Sequence, residues 1–179
     1  CSVNFQTVPR PRCGLTAHCE QLMHGPHCLF VDMEWEAAHD SSGAPLSIGI
    51  AHADGRHGYA EWDIAHRQRI SDWAGMQVLP RLQGGPYEPK RVPYMPLSRV
   101  LDIICAHTGP IWAGELATAE WLQLLGVHAE VFPGSVSAHE QNVLFWHRQA
   151  WQDTEGEYHA WIDARGMAEG ANKMGWFVL

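Results

Sequence analysis

The sequence predicts an α/β fold, because three closely spaced strand-like segments open its main part and alternating helical and strand-like segments follow. Composition agrees: 46% of the residues are hydrophobic and 18% are charged, the balance of a packed globular chain. A length of 179 residues is enough to bury one sizeable core and short for two ordinary domains. A single domain is therefore expected over residues 28–179, behind an irregular Cys/His-rich lead-in over residues 1–27.

Each element has its own signal. Residues 1–27 carry Pro9, Pro11, Gly14, Gly25 and Pro26 with little periodicity. From Cys28 the run Cys-Leu-Phe-Val-Asp-Met-Glu-Trp reads as a buried strand, and after the turn-rich residues 39–45 the run Leu46-Ser-Ile-Gly-Ile-Ala-His reads as its neighbour. Asp54-Gly55 is a strong hairpin signal and leads into a third strand over residues 57–63. The spacing allows a helix over 66–78, which Leu79-Pro80 stops before a loop rich in Gly, Pro, Arg and Lys that runs to about residue 96. Leu97, Val100, Leu101, Ile104 and Cys105 fall at helical spacing. A short strand over 110–113, a helix over 117–125 ended by Gly126, a fifth strand over 127–132 and helices over 137–151 and 158–174 complete the reading.

Composition also limits the function. The chain has no apolar run near the ~18 residues of a membrane span and no charged-then-apolar start, so a soluble, cytoplasmic protein is expected. It begins at Cys1 rather than Met, as a fragment or processed product would. Five cysteines, four of them within the first 28 positions, do not make a disulfide framework and read as reduced thiols. The segment Cys13, His18, Cys19, His24, His27 and Cys28 has ligands enough for one Zn²⁺, although its spacing matches no standard finger. A formal charge of −8 argues against binding nucleic acid through a general basic surface. It leaves room for carboxylates whose charge divalent cations offset.

The chemistry-bearing pattern starts at Asp32 and Glu34. Side chains two apart on a strand project from the same face, so both carboxylates point one way. Paired carboxylates repel unless a cation lies between them, and hard ions such as Mg²⁺ or Mn²⁺ prefer oxygen ligands. The other reading is a solvated strand face formed with Glu36. Glu115, just after a short strand and at a helix start, is placed to reach the same cations or simply to interact with the helix dipole. His159 and Asp163 stand four apart on a predicted helix, either as a proton acceptor and a last metal ligand or as an i,i+4 surface pair. Arg81, Lys90, Arg91 and Arg99, in a stretch whose single acid is Glu88, are candidates for contacts with phosphates. Trp35 and Trp62 are candidates to stack on bases, with core packing as the other role. No His-x-His or His-Glu-x-x-His spacing points to a zinc hydrolase.

These segments resemble a known family. Phe30-Val-Asp-Met-Glu, Leu46-Ser-Ile-Gly-Ile-Ala-His-Ala-Asp-Gly-Arg-His-Gly-Tyr-Ala, Trp73 with Val78-Leu-Pro-Arg-Leu, and Ile162-Asp-Ala-Arg look like the mycobacterial and phage type of 3′-to-5′ exoribonuclease in the DEDD superfamily. The resemblance covers about residues 28–170. It implies an RNase H-like fold with a mixed five-stranded sheet flanked by helices. It also implies two divalent cations held by four acids and hydrolysis of terminal phosphodiester bonds at the 3′ end of single-stranded nucleic acid, RNA being the expected substrate. Asp32 and Glu34 would be the first-motif ligands and Asp163 the last. The family's middle Asp falls near Ala117, so Glu115 would replace it, as in the related proofreading exonucleases of coronaviruses, whose segment is similar to Trp112-Ala-Gly-Glu-Leu. The family's His lies five residues before the last Asp, where this chain has Tyr158. Either His159 or Tyr158 would orient the water, or the domain is catalytically inactive and serves as an RNA-binding or scaffold module.

Overall fold

A computed structural model describes residues 27–37, 43–64, 70–132 and 159–173. The strands are β1 (Leu29–Trp35), β2 (Pro45–His52), β3 (His57–Glu61), β4 (Ile111–Ala113) and β5 (Glu130–Val131). The helices are α1 (Asp72–Gln77), α2 (Leu97–Ala106), α3 (Leu116–Leu124) and α4 (Ala160–Lys173), with a 3₁₀ turn over Leu79–Arg81. The expected helix over 137–151 and all of the lead-in except His27 lie outside the described residues.

The five strands form one open mixed sheet in the order β3-β2-β1-β4-β5. β1 pairs antiparallel with β2 and parallel with β4; β2 and β3 are antiparallel, and β4 and β5 parallel. The central place of β1 explains its sequence, since all seven residues are buried and a strand covered on both faces reads as a continuous run. The expected α/β sheet flanked by helices is therefore present, and its order is compatible with an RNase H-like fold. Among the described residues no helix is long and apolar enough to cross a membrane.

Alternation along β1 divides the core. Leu29, Val31, Met33 and Trp35 join Ile48, Val100, Ile104 and Leu122 beneath α2 and α3, while Phe30 joins Ala51, Trp112 and Phe132 on the other face. That second face is covered by Ala164, Met167, Ala168 and Ala171, which recur at i, i+3, i+4 and i+7 along α4. Small residues on this stripe let the helix come close to the sheet. Gly49 carries the approach furthest: a Cβ there would fall 2.3 Å from the backbone of Ala160 and Trp161. β2 needs a glycine wherever another backbone comes this near.

α1 is set by local chemistry. Ser71 caps it, accepting from Ala74 N (3.1 Å), and anchors its start by donating through Oγ to Glu36 O (2.5 Å). Leu46, Ala74, Val78 and Leu82 then close a small core beneath this corner.

Candidate metal centre

Asp32 and Glu34 project from the face of β1 that α4 covers, and Asp163 comes down to them from the first turns of that helix. One oxygen from each lies within 4.8 Å of the others, and all three residues are buried, Asp32 at 8%, Glu34 at 7% and Asp163 at 9% exposure. Those low exposures exclude the solvated strand face as an explanation of Asp32 and Glu34. Two glycines make the convergence sterically possible. Gly49 pairs with Asp32 across the sheet and admits the start of α4. Gly114 follows β4, where a Cβ would fall 2.0 Å from Asp32 Oδ1, so only glycine leaves the carboxylate its place.

The electrostatics show how unfavourable the group is without a counter-charge. The Asp32 carboxyl is pushed well above the usual carboxylate range, first by burial and then by the charges of Asp163, Glu34 and Glu115. Glu34 is pushed up likewise by burial, by the charges of Asp163 and Glu115 and by a side-chain hydrogen bond to Asp163; the charge of Arg81 acts the other way. Three buried acids close enough to hold a metal ion are thus present.

Glu115 borders this group without joining the three that converge. It stands at the N-cap of α3 with extended backbone, φ −145° and ψ 168°, and its side chain makes no capping bond. The carboxylate does not satisfy the helix's own N–H groups, yet its charge is felt at Asp32 and Glu34. It sits at the carboxyl end of β4, beside the carboxyl end of its parallel neighbour β1, where open α/β sheets bind their ligands.

No family model matches the sequence, and no curated protein matches it. The reading of the site therefore rests on the side chains themselves.

The remaining candidates are distributed unequally. Arg81 is half-buried and close enough for its charge to act on Glu34. Lys90 and Arg91 are exposed in a turn where Arg91 adopts a left-handed φ of 63°, and Arg99 is exposed on α2. Trp35 is corrected: one residue beyond Glu34, it points to the opposite face and packs with Leu29, Val31 and Met33 beneath α2 and α3, where no strand of nucleic acid can stack on it. Trp62 is half-buried against that same core, its ring 5.6 Å from that of Trp121 in an edge contact.

His159 is also placed elsewhere than expected. Its carbonyl accepts from Ile162 N (2.8 Å) and Asp163 N (3.1 Å), so it is the N-cap residue of α4 and not a member of the helical face that carries Asp163. Its ring is fully buried, stacked on Tyr59 with centroids 4.5 Å apart, and neither ring nitrogen has a hydrogen-bond partner. Burial holds this imidazole down at about 4 and hence neutral at pH 7. Tyr158, the alternative, lies outside the described residues, as do Cys13, His18, Cys19 and His24.

Sequence reasoning missed Ser47 and Glu61. In register across β1, β2 and β3 they form a row with Glu34. Ser47 Oγ is buried without a hydrogen-bond partner, and Glu61 accepts from Tyr59 OH (2.9 Å) and Gln83 N (2.8 Å). The signal was the period-two alternation of β2 and β3, the same rule that paired Asp32 with Glu34. A separate cavity of about 430 Å³ lies at the other end of β4, lined by Cys105, His107, His128 and Glu130 among others, and includes none of the converging acids.

Proposed function

We propose that this protein is a metal-dependent 3′-to-5′ exonuclease of the DEDD type, with an RNase H-like fold, acting on single-stranded RNA. The observation that carries the reading is the convergence of Asp32, Glu34 and Asp163, three buried acids from two distant parts of the chain. Burying like charges together costs free energy that packing does not return, which singles the group out for a cation or a proton.

The donor set fits a hard divalent ion. All three donors are carboxylates, with no thiol or imidazole in the group, and oxygen-only sites suit hard ions such as Mg²⁺ or Mn²⁺. Opposite ligands of a Mg²⁺ ion are separated by roughly 4.2 Å, so the observed spread of 4.8 Å or less closes with small side-chain movement. Asp32, Glu34 and Asp163 would hold one ion, and Glu115 at the rim would help to hold a second. Bound there, such ions supply an activated water and stabilise the leaving 3′ oxygen. The chain's own work is to fix these carboxylates on a central strand and a helix start and to exclude water from beneath them. His159 stays buried behind the site, where it packs.

The reading is tested by release of nucleotides from a 3′-labelled single-stranded RNA in Mn²⁺, with Asp32→Ala as control. Metal-dependent release that the substitution abolishes is the expected result. The burial of His159 favours a second reading, an RNase H-like domain that binds RNA without cleaving it. Equal behaviour of wild type and Asp32→Ala under several metals selects that reading.

A further inference from the structure

Ser47 is the residue of β2 whose polar atom packing does not explain. On the face of β2 that α4 covers, positions 47, 49 and 51 are Ser, Gly and Ala, small residues beneath a helix that comes close. Ala51 meets that steric demand with a methyl group. Ser47 adds a hydroxyl, and the residue is 0% exposed with no hydrogen-bond partner for Oγ. A buried hydroxyl in that state has given up water for nothing, a loss that alanine would avoid.

The row it occupies has an acid on either side. Ser47 is the direct cross-strand partner of Glu34, and opposite residues of an antiparallel pair carry their Cβ atoms about 4.5–5.5 Å apart on one face of the sheet. On its other side it pairs with Glu61. That acid is already supplied with donors, Tyr59 OH (2.9 Å) and Gln83 N (2.8 Å). Burial and the charge of Glu61 push the Tyr59 phenol up and Ser47 acts on it the other way, yet Ser47 Oγ forms no hydrogen bond with it. Glu34 is less well supplied. Its side-chain hydrogen bond is shared with Asp163, another acid, and two ionised carboxylates have no proton to share.

A hydroxyl suits the place beside Glu34. It donates to an ionised carboxylate and accepts from a protonated one. Being neutral, it holds the carboxylate without competing with a cation for its charge. Carboxylates that ligate metals are themselves oriented by hydrogen bonds from the residues around them, and affinity falls when those partners are removed.

We propose that Ser47 is a positioning residue of the metal centre, its hydroxyl donating to the ionised Glu34 carboxylate and fixing the orientation in which that group meets a divalent cation. The role rests on the reading of Asp32, Glu34 and Asp163 as a metal centre.

The experiment titrates Mn²⁺ calorimetrically into the metal-free full chain as wild type, Ser47→Ala, Ser47→Thr and Glu34→Gln, and takes the urea midpoint of each metal-free protein. Ser47→Ala is expected to weaken Mn²⁺ binding about tenfold or more, with a urea midpoint at or above that of wild type, because the hydroxyl it removes has no partner to lose. Ser47→Thr keeps the hydroxyl and is expected to keep most of the affinity. Wild-type affinity in Ser47→Ala, beside weakened binding in Glu34→Gln, overturns the assignment and leaves the metal centre standing. A Ser47→Ala protein whose urea midpoint falls together with its affinity also overturns it, since the hydroxyl then serves the Tyr59–Glu61 contact. Ser47→Thr binding as weakly as Ser47→Ala counts against the hydroxyl in the same way. Absence of Mn²⁺ binding by wild type overturns the metal centre and this role together. Mn²⁺ binding that depends on Ser47, in a protein that cuts no RNA, refutes the nuclease reading and leaves the role of Ser47 in place.

Discussion

Gly49→Ala should disturb the protein at one defined place. The added methyl carbon falls 2.3 Å from the Ala160 carbonyl carbon and oxygen and from Trp161 N, where ordinary contact begins at 3.4 Å. Those atoms belong to a helix backbone and cannot rotate aside, so α4 has to retreat by about 1 Å in an interior packed at crystal density. Gly49 is not in the left-handed region, so the cost is steric rather than conformational. Overpacking of this kind destabilises by about 1–3 kcal/mol. Asp163 rides on the same helix three residues on from Ala160, and a misplacement of ~1 Å at a reacting centre costs about 100-fold in rate. Urea denaturation reads the first effect, and nucleotide release at saturating Mn²⁺ reads the second. Gly75→Ala is the control: it lies exposed in α1 with nothing within 4 Å of the added carbon, so a gain of about 0.5–1 kcal/mol is expected from helix propensity. A Gly49→Ala protein as stable and as active as wild type would refute the claim that this glycine sets the depth of α4 and, through it, of Asp163.

Three further outcomes are expected. Replacing one of the converging carboxylates by its amide, as in Asp163→Asn, relieves repulsion among buried charges; the metal-free protein should gain on the order of 1 kcal/mol by thermal unfolding while nuclease activity falls at least about 100-fold. The raised carboxyls of Asp32 and Glu34 bind protons in the folded state at pH values where the unfolded chain has lost them, so metal-free stability should decline as pH rises from their ordinary values of 3.8 and 4.5. Saturating Mn²⁺ should remove that decline, as urea midpoints across pH would show. His159 works in the opposite sense: held at about 4 against an ordinary 6.5, it contributes about 3 kcal/mol that is complete above pH 6.5 and lost as pH falls through 4. His159→Phe should remove that acid sensitivity and retain Mn²⁺-dependent activity; loss of activity in a variant of wild-type stability would assign the ring a part in the chemistry.

Much of this was legible in the sequence. The side-chain alternation of a strand placed Asp32 and Glu34 on one face, and the Ile48-Gly49-Ile50 signal marked the strand that α4 approaches. The same alternation, carried one residue further, removes Trp35 from the site. Helical spacing paired His159 with Asp163, but the helix begins one residue too late for that rule to hold. An N-cap residue follows no 3.6-residue period. Arg81 stood in a basic run whose other members are exposed. Its partial burial sets it apart, beside a turn that Gln83 ties to Glu61, a contact between residues far apart in the chain that no local pattern encodes.

The most direct test is calorimetric titration of Mn²⁺ into the metal-free protein at pH 6 and 7 in buffers of different ionisation enthalpy. Burial and mutual repulsion raise the proton affinity of Asp32 and Glu34, and a cation bound by them competes with those protons. Wild type is expected to bind Mn²⁺ with release of protons, and Asp32→Asn, Glu34→Gln and Asp163→Asn are each expected to weaken that binding at least tenfold. Binding that none of the three substitutions changes, or no binding at all, would contradict a metal centre built on these residues.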